Sequence, residues 1–350
     1  MNPNGNIREK ILSALEKTKI SGMPVSGEYL AKNAGVSRSD INKHIKNLKA
    51  IGYRITARPR SGYLYQGAPS EITFKNIGIF LDGGTFRFKI HHYEKTDSTQ
   101  SLARKFALKN LPAKDDEWHI FVSDSQTAGY GRMRRKWVSS KGGLWFTALI
   151  PHPPVEPSLA PAFSLAFSVA VRSAIEKVCS SLCRGRFFLK WPNDILASTD
   201  GNKNCKKVAG ILTEMSADIQ QIEWLAVGCG VNLCNPIPSE IYSVATTLLD
   251  ITGRKNNPAL LLKNILDEAA GIYRIFCSSG FGGAIRAEYE KYNLLRGKSV
   301  NVISGDGEEI SGVVSSVDDE GHLIIKEYRN DKIYGVKKVF AGDVTLRKQL

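Results

Sequence analysis

Hydrophobic positions in residues 1–66 recur at helical spacing and then alternate. A first helix is predicted around Ile11–Leu15, and a second between Ser26 and Gly35. A third begins at Ser37–Asp40, which is spaced as a capping box. Its buried stripe at i, i+4 and i+7 consists of Ile41, Ile45 and Leu48.

Two short alternating runs, Tyr53–Ala57 and Gly62–Tyr65, flank the basic turn Arg58–Ser61. Three helices followed by a basic hairpin are typical of a winged helix-turn-helix, whose third helix enters the DNA major groove while the wing contacts phosphates. A winged helix used only for protein contacts is the alternative. The predicted DNA-contacting residues are Ser37, Arg38, Ser39, Asn42, Lys43, Lys46, Arg58 and Arg60.

Positive charge supports the nucleic-acid interpretation. The chain carries a formal net charge of +14, and residues 1–66 hold twelve Lys or Arg against four acidic residues. Clustered positive charge attracts polyanions, so the N-terminal segment is predicted to bind DNA.

Beyond a predicted linker at Gln66–Ser70, strand-like and helical runs alternate as far as residue 295, although their order in a sheet is not readable. From Gly297 the pattern changes to short strands with turn residues, which predicts a small β-barrel. The predicted fold class is α+β (mixed α/β). The predicted domains are a winged helix-turn-helix at 1–66, a catalytic mixed-sheet domain at 67–295 and an SH3-like barrel at 296–350.

No membrane segment or secretory signal is predicted, because the apolar run Leu159–Val171 is too short to span a bilayer. The expected compartment is the cytoplasm. The six cysteines lack zinc-ligand or CxxC spacing, so they are interpreted as reduced thiols, and no metal-binding site is predicted.

The stretch Ser125–Trp137 is the most informative candidate for chemistry. It contains Gly129-Tyr130-Gly131-Arg132 and further basic residues. Glycines let backbone N–H groups approach an anion, and guanidinium groups neutralise phosphate. The stretch lacks the lysine and Ser/Thr of a Walker A loop, so ordinary P-loop chemistry is not expected. A flexible surface loop with solvated arginines is the alternative.

Four other stretches accompany that loop. Asp97–Gln100 caps a predicted helix, Lys190–Asp194 follows an apolar strand, Lys207–Glu214 places a lysine at a strand start, and Gly228–Asn232 carries two glycines. The polar groups of Lys190–Asp194 are predicted at a strand end of the kind where α/β sites form.

These five stretches, in their order along the chain, resemble the biotin–protein ligase family in its two-function form with an N-terminal repressor domain. The resemblance extends over essentially the whole chain, and it implies a central domain of the biotin/lipoate ligase type.

The resemblance also implies residue roles. Arg132, Lys207 and Asp194 would be catalytic: Arg132 would hold biotinyl-5′-AMP, Lys207 would stabilise charge at the acyl phosphate, and Asp194 would position Mg²⁺ or help to deprotonate the acceptor amine. Lys190 is a secondary candidate. The residues implied to bind biotin or biotinyl-5′-AMP are Ser98, Thr99, Gln100, Gln126, Gly129, Tyr130, Gly131, Arg132, Asn193, Lys207, Gly210, Gly230 and Asn232.

The implied reaction uses biotin and MgATP and modifies a lysine of a biotin carboxyl carrier protein. The implied partners are that carrier protein, operator DNA and a second copy of the chain in a ligand-promoted homodimer. Three alternatives remain: a lipoate or octanoate ligase, a transcription factor that only senses biotin or its adenylate, and a ligase whose winged helix no longer binds DNA.

Two positions depart from the family pattern. Tyr130 stands where arginine is common between the two glycines, and Gln100 replaces an asparagine and adds a methylene to the pocket wall.

Overall fold

The computed structural model describes residues 7, 10–17, 22–69, 71–79, 81, 86–111, 117–179, 187–201, 204–305, 307–329 and 332–346. The chain divides into two compact units, Met1–Phe80 and Leu81–Leu350. The boundaries of the three-domain division at residues 66 and 295 stay a prediction.

The first unit is a winged helix-turn-helix, as predicted. It contains α1 (residues 10–17), α2 (Gly27–Ala34), α3 (Arg38–Ala50) and the antiparallel hairpin β1 (Arg54–Arg58) and β2 (Gly62–Gly67). Strand β2 continues through Gln66 and Gly67, which the sequence analysis assigned to a linker, because Thr56 on β1 donates a hydrogen bond to the Gln66 side chain at 2.9 Å. Among the described residues of its main hydrophobic cluster, the fully buried side chains are Ile11, Leu15, Leu30 and Ile41.

The start of α3 differs in detail from the predicted capping box. The Ser37 hydroxyl accepts the Asp40 N–H at 3.1 Å, as expected of an N-cap residue. The Asp40 carboxylate, however, accepts from the Ser37 hydroxyl at 2.6 Å. Within the described residues, a capping box is formed instead by Thr247 and Asp250, where each side chain accepts the backbone N–H of the other residue.

The second unit is built on a seven-stranded mixed sheet. Its strands are β3 (Arg87–Tyr93), β4 (Glu117–Ser123), β5 (Leu144–Pro151), β6 (Phe187–Lys190), β7 (Asp194–Ala197), β8 (Lys206–Ala217) and β9 (Ile222–Val231). They are arranged in the order β3-β4-β5-β9-β8-β7-β6, with β3 and β4 parallel and the other neighbours antiparallel.

The stretch Lys190–Asp194 lies at the end of strand β6, as predicted, and forms the turn of the antiparallel hairpin β6–β7.

The helices of this unit are α4 (Thr99–Asn110), α5 (Ala160–Cys179), α6 (Leu248–Thr252), α7 (Pro258–Ser279) and α8 (Ala284–Lys291). Within the described residues, one helical segment, Pro157–Cys179, is long and apolar enough to cross a membrane by length and composition. This segment is longer than the apolar run Leu159–Val171 identified from the sequence, but 72% of its most apolar stretch is buried in the fold. Its Phe163 ring packs edge-on against Phe276 of α7, so α5 is a core helix here.

The C-terminal region is a five-stranded antiparallel sheet, which corresponds to the predicted small β-barrel. Its strands are β10 (Ser299–Ser304), β11 (Glu309–Val317), β12 (Leu323–Arg329), β13 (Lys332–Val339) and β14 (Gly342–Leu346). They are arranged in the order β13-β12-β11-β10-β14.

The described cysteines are free thiols: Cys179, Cys205, Cys229, Cys234 and Cys277. Cys234 is exposed rather than buried in the core. Cys183 lies outside the described residues.

Candidate active site and nucleic-acid interface

One cavity of about 1080 Å³ in the second unit gathers the residues of all five predicted stretches. Of the thirteen predicted ligand-binding positions, Gly129 alone does not line it. The lining residues from that set are Ser98, Thr99, Gln100, Gln126, Tyr130, Gly131, Arg132, Asn193, Lys207, Gly210, Gly230 and Asn232.

Buried side chains at the start of α4 form a polar network at one part of the cavity wall. Ser98 caps α4 and is 2% exposed. The Thr99 N–H and hydroxyl both donate to Oε1 of Gln126, at 2.7 and 3.1 Å. Thr147 on β5 donates to the hydroxyl of Thr99 at 2.9 Å and to Oε1 of Gln100 at 3.1 Å. The network fixes these polar groups in place before a ligand arrives.

The longer side chain of Gln100 is accommodated by a glycine. Its Nε2 donates to the Ala226 carbonyl at 3.2 Å, and a Cβ on Gly228 would lie 2.6 Å from its Oε1. Gly228 was not among the predicted site residues, although it belongs to the Gly228–Asn232 stretch. The added methylene therefore has a matching space on β9.

The glycine-arginine loop is folded as a tight hairpin. The Gly131 N–H donates to the Arg135 carbonyl at 2.8 Å, and the Trp137 N–H donates to the Gly129 carbonyl at 2.9 Å. A Cβ on Gly129 would lie 2.8 Å from the carbonyl oxygen of Trp137, so this glycine allows the close approach of the two sides of the loop. The hairpin presents Arg132 to the cavity.

The C-terminal sheet supplies part of the same cavity wall. Arg132 Nη1 lies 3.4 Å from the carbonyl oxygen of Gly342 on β14. Arg135 pairs with the carboxylate of Asp343 through both of its terminal nitrogens. Burial lowers the pKa of the Arg132 guanidinium from its ordinary value, while Asp343 and Asp194 act in the opposite direction.

Lys207 and Asp194 meet within the cavity. The Lys207 ammonium lies 2.6 Å from Oδ1 of Asp194, as a close ion pair whose angle is not that of a hydrogen bond. The same ammonium lies 4.8 Å from the centre of the Trp137 ring. Arg132 and Arg135 also interact electrostatically with Asp194, so several cations act on this one carboxylate.

Trp137 is a site residue that the sequence analysis left without a role. A Cβ on Gly230 would lie 2.5 Å from its Nε1, and one on Gly210 would lie 3.0 Å from its ring. The indole therefore rests on the bare backbone of β8 and β9. Its buried Nε1 has no hydrogen-bond partner in the structure.

Tyr130 reaches away from the loop toward β8. Its hydroxyl donates to the Glu214 carboxylate at 3.3 Å, and the Arg134 guanidinium lies 4.5 Å from its ring centre. Burial raises the pKa of Tyr130, and Glu214 raises it further. The aromatic side chain of Tyr130, hydrogen-bonded to Glu214, therefore occupies the position where the family pattern has an arginine.

Two amides predicted to bind ligand also make structural hydrogen bonds. Asn193 Nδ2 donates to the Ile211 carbonyl at 2.7 Å, which ties the β6–β7 turn to β8. Asn232 accepts from Asn235 Nδ2 at 3.1 Å.

The neighbouring Lys190 and Trp191 also line the cavity. The Trp191 side chain is 2% exposed, and its Nε1 donates at 2.9 Å to the carbonyl of Gly321, between β11 and β12. Trp191 therefore joins the hairpin turn to the C-terminal sheet.

Among the described residues, one His/Asp/Glu group has the spacing of metal ligands: Asp318, Glu320 and His322. The Lys338 ammonium lies 2.9 Å from the Asp318 carboxylate and 2.8 Å from that of Glu320. The Lys338 ammonium therefore already pairs with two of the three groups.

In the first unit, the predicted DNA-contacting residues form an exposed surface on α3 and the wing. Asn42 on α3 accepts a hydrogen bond from the Tyr63 hydroxyl on β2, which joins the two elements. Arg60, at the wing turn, has a φ of 63°. The exposed set is Ser37, Arg38, Ser39, Asn42, Lys43, Lys46, Arg58 and Arg60.

Comparison with known proteins agrees with both units. Residues 93–232 match the Biotin/lipoate A/B protein ligase family, and residues 8–64 match an HTH domain. The chain is 32% identical over 326 residues to the bifunctional ligase/repressor BirA of Bacillus subtilis, covering 92% of this chain and 94% of that protein. The chain belongs to the family of bifunctional biotin–protein ligase/repressors.

Other members agree with this assignment. The bifunctional ligase/repressor BirA of Escherichia coli is 26% identical over 325 residues, with 92% of each chain covered. A biotin protein ligase from Aquifex aeolicus, solved in complex with biotin and ATP, superposes with a TM-score of 0.59 at 28% identity. That structure matches 75% of this ligase/repressor and 99% of the Aquifex chain.

Proposed function

We propose that this chain joins biotin to ATP to form biotinyl-5′-AMP and then transfers biotin to a lysine of a biotin carboxyl carrier protein. The observation that carries this proposal is the meeting of Arg132, Lys207 and Asp194 in one cavity beside the polar network at Thr99.

In the first step, an oxygen of the biotin carboxylate attacks the α-phosphorus of ATP, and pyrophosphate leaves. The biotin head would bind at Ser98, Thr99, Gln100 and Gln126, whose donors and acceptors are already ordered. Arg132 would pair with the phosphate, because guanidinium groups bind phosphate through charge-assisted hydrogen bonds. Lys207 would stabilise the charge that develops at the reacting centre.

In the second step, the acceptor lysine amine attacks the carbonyl carbon and AMP leaves. Asp194 is proposed to take a proton from the acceptor lysine, so that the neutral amine is the attacking group. The mixed anhydride is sensitive to water, and the hairpin closed by Gly131 and Arg135 would exclude solvent.

Magnesium is proposed to arrive with ATP and to neutralise phosphate charge. The cavity fits this role through Asp194, because Mg²⁺ is commonly held by one or two carboxylates together with substrate phosphates. Of the other carboxylates at the loop, Asp343 is engaged by Arg135 and Glu214 accepts from Tyr130.

The winged helix is proposed to repress transcription by binding a two-fold operator as a ligand-promoted homodimer, in the cytoplasm. The exposed basic residues of α3 and the wing support DNA contact. Sedimentation with and without biotin and ATP should show a larger species when both are present. An unchanged mass would contradict the dimer proposal.

The decisive experiment for the ligase is incubation with ATP, Mg²⁺ and biotin, followed by mass spectrometry of free and protein-bound adenylate. We expect the wild type to retain biotinyl-5′-AMP and Arg132→Gly to release it into solution. Arg134→Gly is the matched control, because that guanidinium lies over Tyr130 and is not part of the cavity wall.

The outcomes separate the alternatives. Adenylation of octanoate or lipoate in place of biotin would assign the chain to the related ligase activity. Operator binding without pyrophosphate release would reduce it to a biotin sensor. DNA affinity without a steep salt dependence or sequence preference would leave a ligase with an inactive winged helix.

A further inference from the structure

A β-bulge at the start of β8 determines the face on which Lys207 lies. Leu196 on β7 pairs with Lys207 and not with Val208, because the register of the two strands shifts at this point. Val208 is therefore the extra residue of a bulge. Side chains alternate between the faces of a regular strand, so Lys207 and Gly210 would otherwise lie on opposite faces. In the structure both line the cavity, whereas Val208 is fully buried.

The backbone of Lys207 is held by a segment that follows β9 in the chain, residues 244–246. The Lys207 N–H donates to the Val244 carbonyl at 2.8 Å, and the Lys207 carbonyl accepts the Thr246 N–H at 3.0 Å. The two stretches run parallel at this bridge. Residues 244–246 therefore fix the backbone from which the Lys207 ammonium extends to Asp194.

The next residue along the chain belongs to the capping box of α6. The Thr247 hydroxyl accepts the Asp250 N–H at 3.1 Å, and the Asp250 carboxylate accepts the Thr247 N–H at 3.1 Å. The Thr247 hydroxyl also donates to that carboxylate at 2.7 Å. In the same turn, the Leu248 N–H donates at 2.9 Å to the carbonyl of Asn232, just after β9. The cap thus fastens the end of residues 244–246 to the sheet that carries Lys207.

The length of α6 indicates what this cap does. The helix has five residues, and isolated helices this short are not stable in water. Thr247 is nevertheless buried, with 4% of its surface exposed, and both of its polar groups are bonded to Asp250. The cap therefore orders the chain at the junction between the lysine-holding segment and α6.

We propose that Thr247 and Asp250 are positioning residues for the ligase reaction, because their capping box fixes the segment that holds Lys207. Neither is among the described residues that line the cavity, so they act through Lys207 and contact no substrate. This inference rests on the proposed function.

The test is single-turnover formation of biotinyl-5′-AMP by full-length variants, with saturating ATP and Mg²⁺ and varied biotin. Thr247→Ala should lower the rate at saturating biotin by about tenfold, which is less than the 10²-fold cost of a displacement of about 1 Å. The biotin concentration that gives half the maximal rate should not change, because the biotin head is proposed to bind at the network of α4.

Two further variants separate the hydroxyl from the rest of the threonine side chain. Thr247→Ser keeps the hydroxyl and should restore the wild-type rate. Asp250→Ala lies at an exposed position, so it should leave the core intact and reproduce the loss seen with Thr247→Ala.

The matched control is Asn257→Ala at the start of α7. Asn257 accepts the N–H groups of Ala259 and Leu260 at 2.9 and 3.1 Å, so this variant also removes an N-cap. Loss of either cap should lower thermal stability to a similar extent, but Asn257→Ala should leave the rate unchanged. Residues that act as one unit are not additive, so Thr247→Ala should cause no further loss in a Lys207→Ala background.

A further tenfold loss in the Lys207→Ala background, or an equal loss of rate from Asn257→Ala, would mean that the cap only stabilises the fold and would overturn the inference. Unchanged rates in both Thr247→Ala and Asp250→Ala would also overturn it, while the ligase function stands. Failure of the wild type to form the adenylate would overturn the proposed function and this inference together.

Discussion

The packing of the Trp137 indole against Gly210 and Gly230 can be tested by replacing each glycine with alanine, which adds one methyl group. At Gly230, the Cβ of alanine would lie 2.5 Å from the indole Nε1, whereas ordinary contacts begin near 3.4 Å. The indole must therefore retreat by about 1 Å, and a displacement of this size at a reacting centre costs on the order of 10²-fold in rate. Because the Lys207 ammonium lies over the same ring, the displacement reaches the proposed catalytic lysine.

We expect Gly230→Ala to lower kcat/KM for adenylate formation by about 100-fold, which corresponds to about 2.7 kcal/mol of transition-state stabilisation. At Gly210 the nearest ring atom would be 3.0 Å away, so alanine there should cost only about tenfold. The assay is pyrophosphate release at saturating biotin with varied ATP, together with thermal unfolding of each variant.

The matched control is Gly271→Ala on α7, where a Cβ would have no neighbour within 4 Å. Alanine in a helix interior should raise stability by about 0.5–1 kcal/mol and leave activity unchanged. The steric reasoning fails if Gly230→Ala retains activity within twofold of the Gly271 variant.

Two further predictions concern the ion pair at the loop and the half-buried His91. Arg135→Gln and Asp343→Asn should each cost less than about 1 kcal/mol of stability, because the pair is largely exposed. Each should nevertheless raise KM for ATP, and the double variant should be no worse than either single one. His91 has its pKa lowered to about 4 by burial, with His119 and Lys89 adding to the effect. Between about pH 6.5 and pH 4, His91 is protonated in the unfolded chain but neutral in the folded protein. The free energy of unfolding should therefore fall as the pH drops from about 6.5 toward 4, and His91→Phe should flatten that slope.

For the ion pair, the control is Arg286→Gln, which breaks a 2.9 Å contact with Asp319 away from the cavity. Equal effects on KM from Arg286→Gln and Arg135→Gln would contradict a local role for the loop pair. For His91, urea unfolding at several pH values is the measurement, and an unaltered slope in His91→Phe would refute the assignment.

Local signals predicted much of this molecule. Helix caps, the basic wing and the glycine-bearing stretches are each encoded within a dozen residues, and the structure brings those stretches to one cavity. The roles given to Arg132 and Lys207 came from family resemblance, because spacing alone does not specify a reaction.

The remaining features depend on distant contacts. Arg135 and Asp343 are separated by 208 positions, and the sequence around each residue does not indicate that the two form an ion pair. The bare surface beneath Trp137 is likewise formed by glycines on two strands far from the loop. Antiparallel pairing of β6 and β7 could not be read from sequence, since alternating strands and helices also suit a parallel sheet.

The hydrogen bond from the Trp191 indole to the Gly321 carbonyl has a consequence for truncated forms of this protein. A premature stop codon just after β10 would delete both Gly321 and β14, which leaves a buried donor without its acceptor and opens one side of the nucleotide cavity. An orphaned buried donor costs about 1–3 kcal/mol, to which the loss of the Arg135 anchor is added. Nonsense alleles that end the chain between β10 and Gly321 should thus lower biotin attachment, whereas a chain that ends beyond β14 retains both contacts.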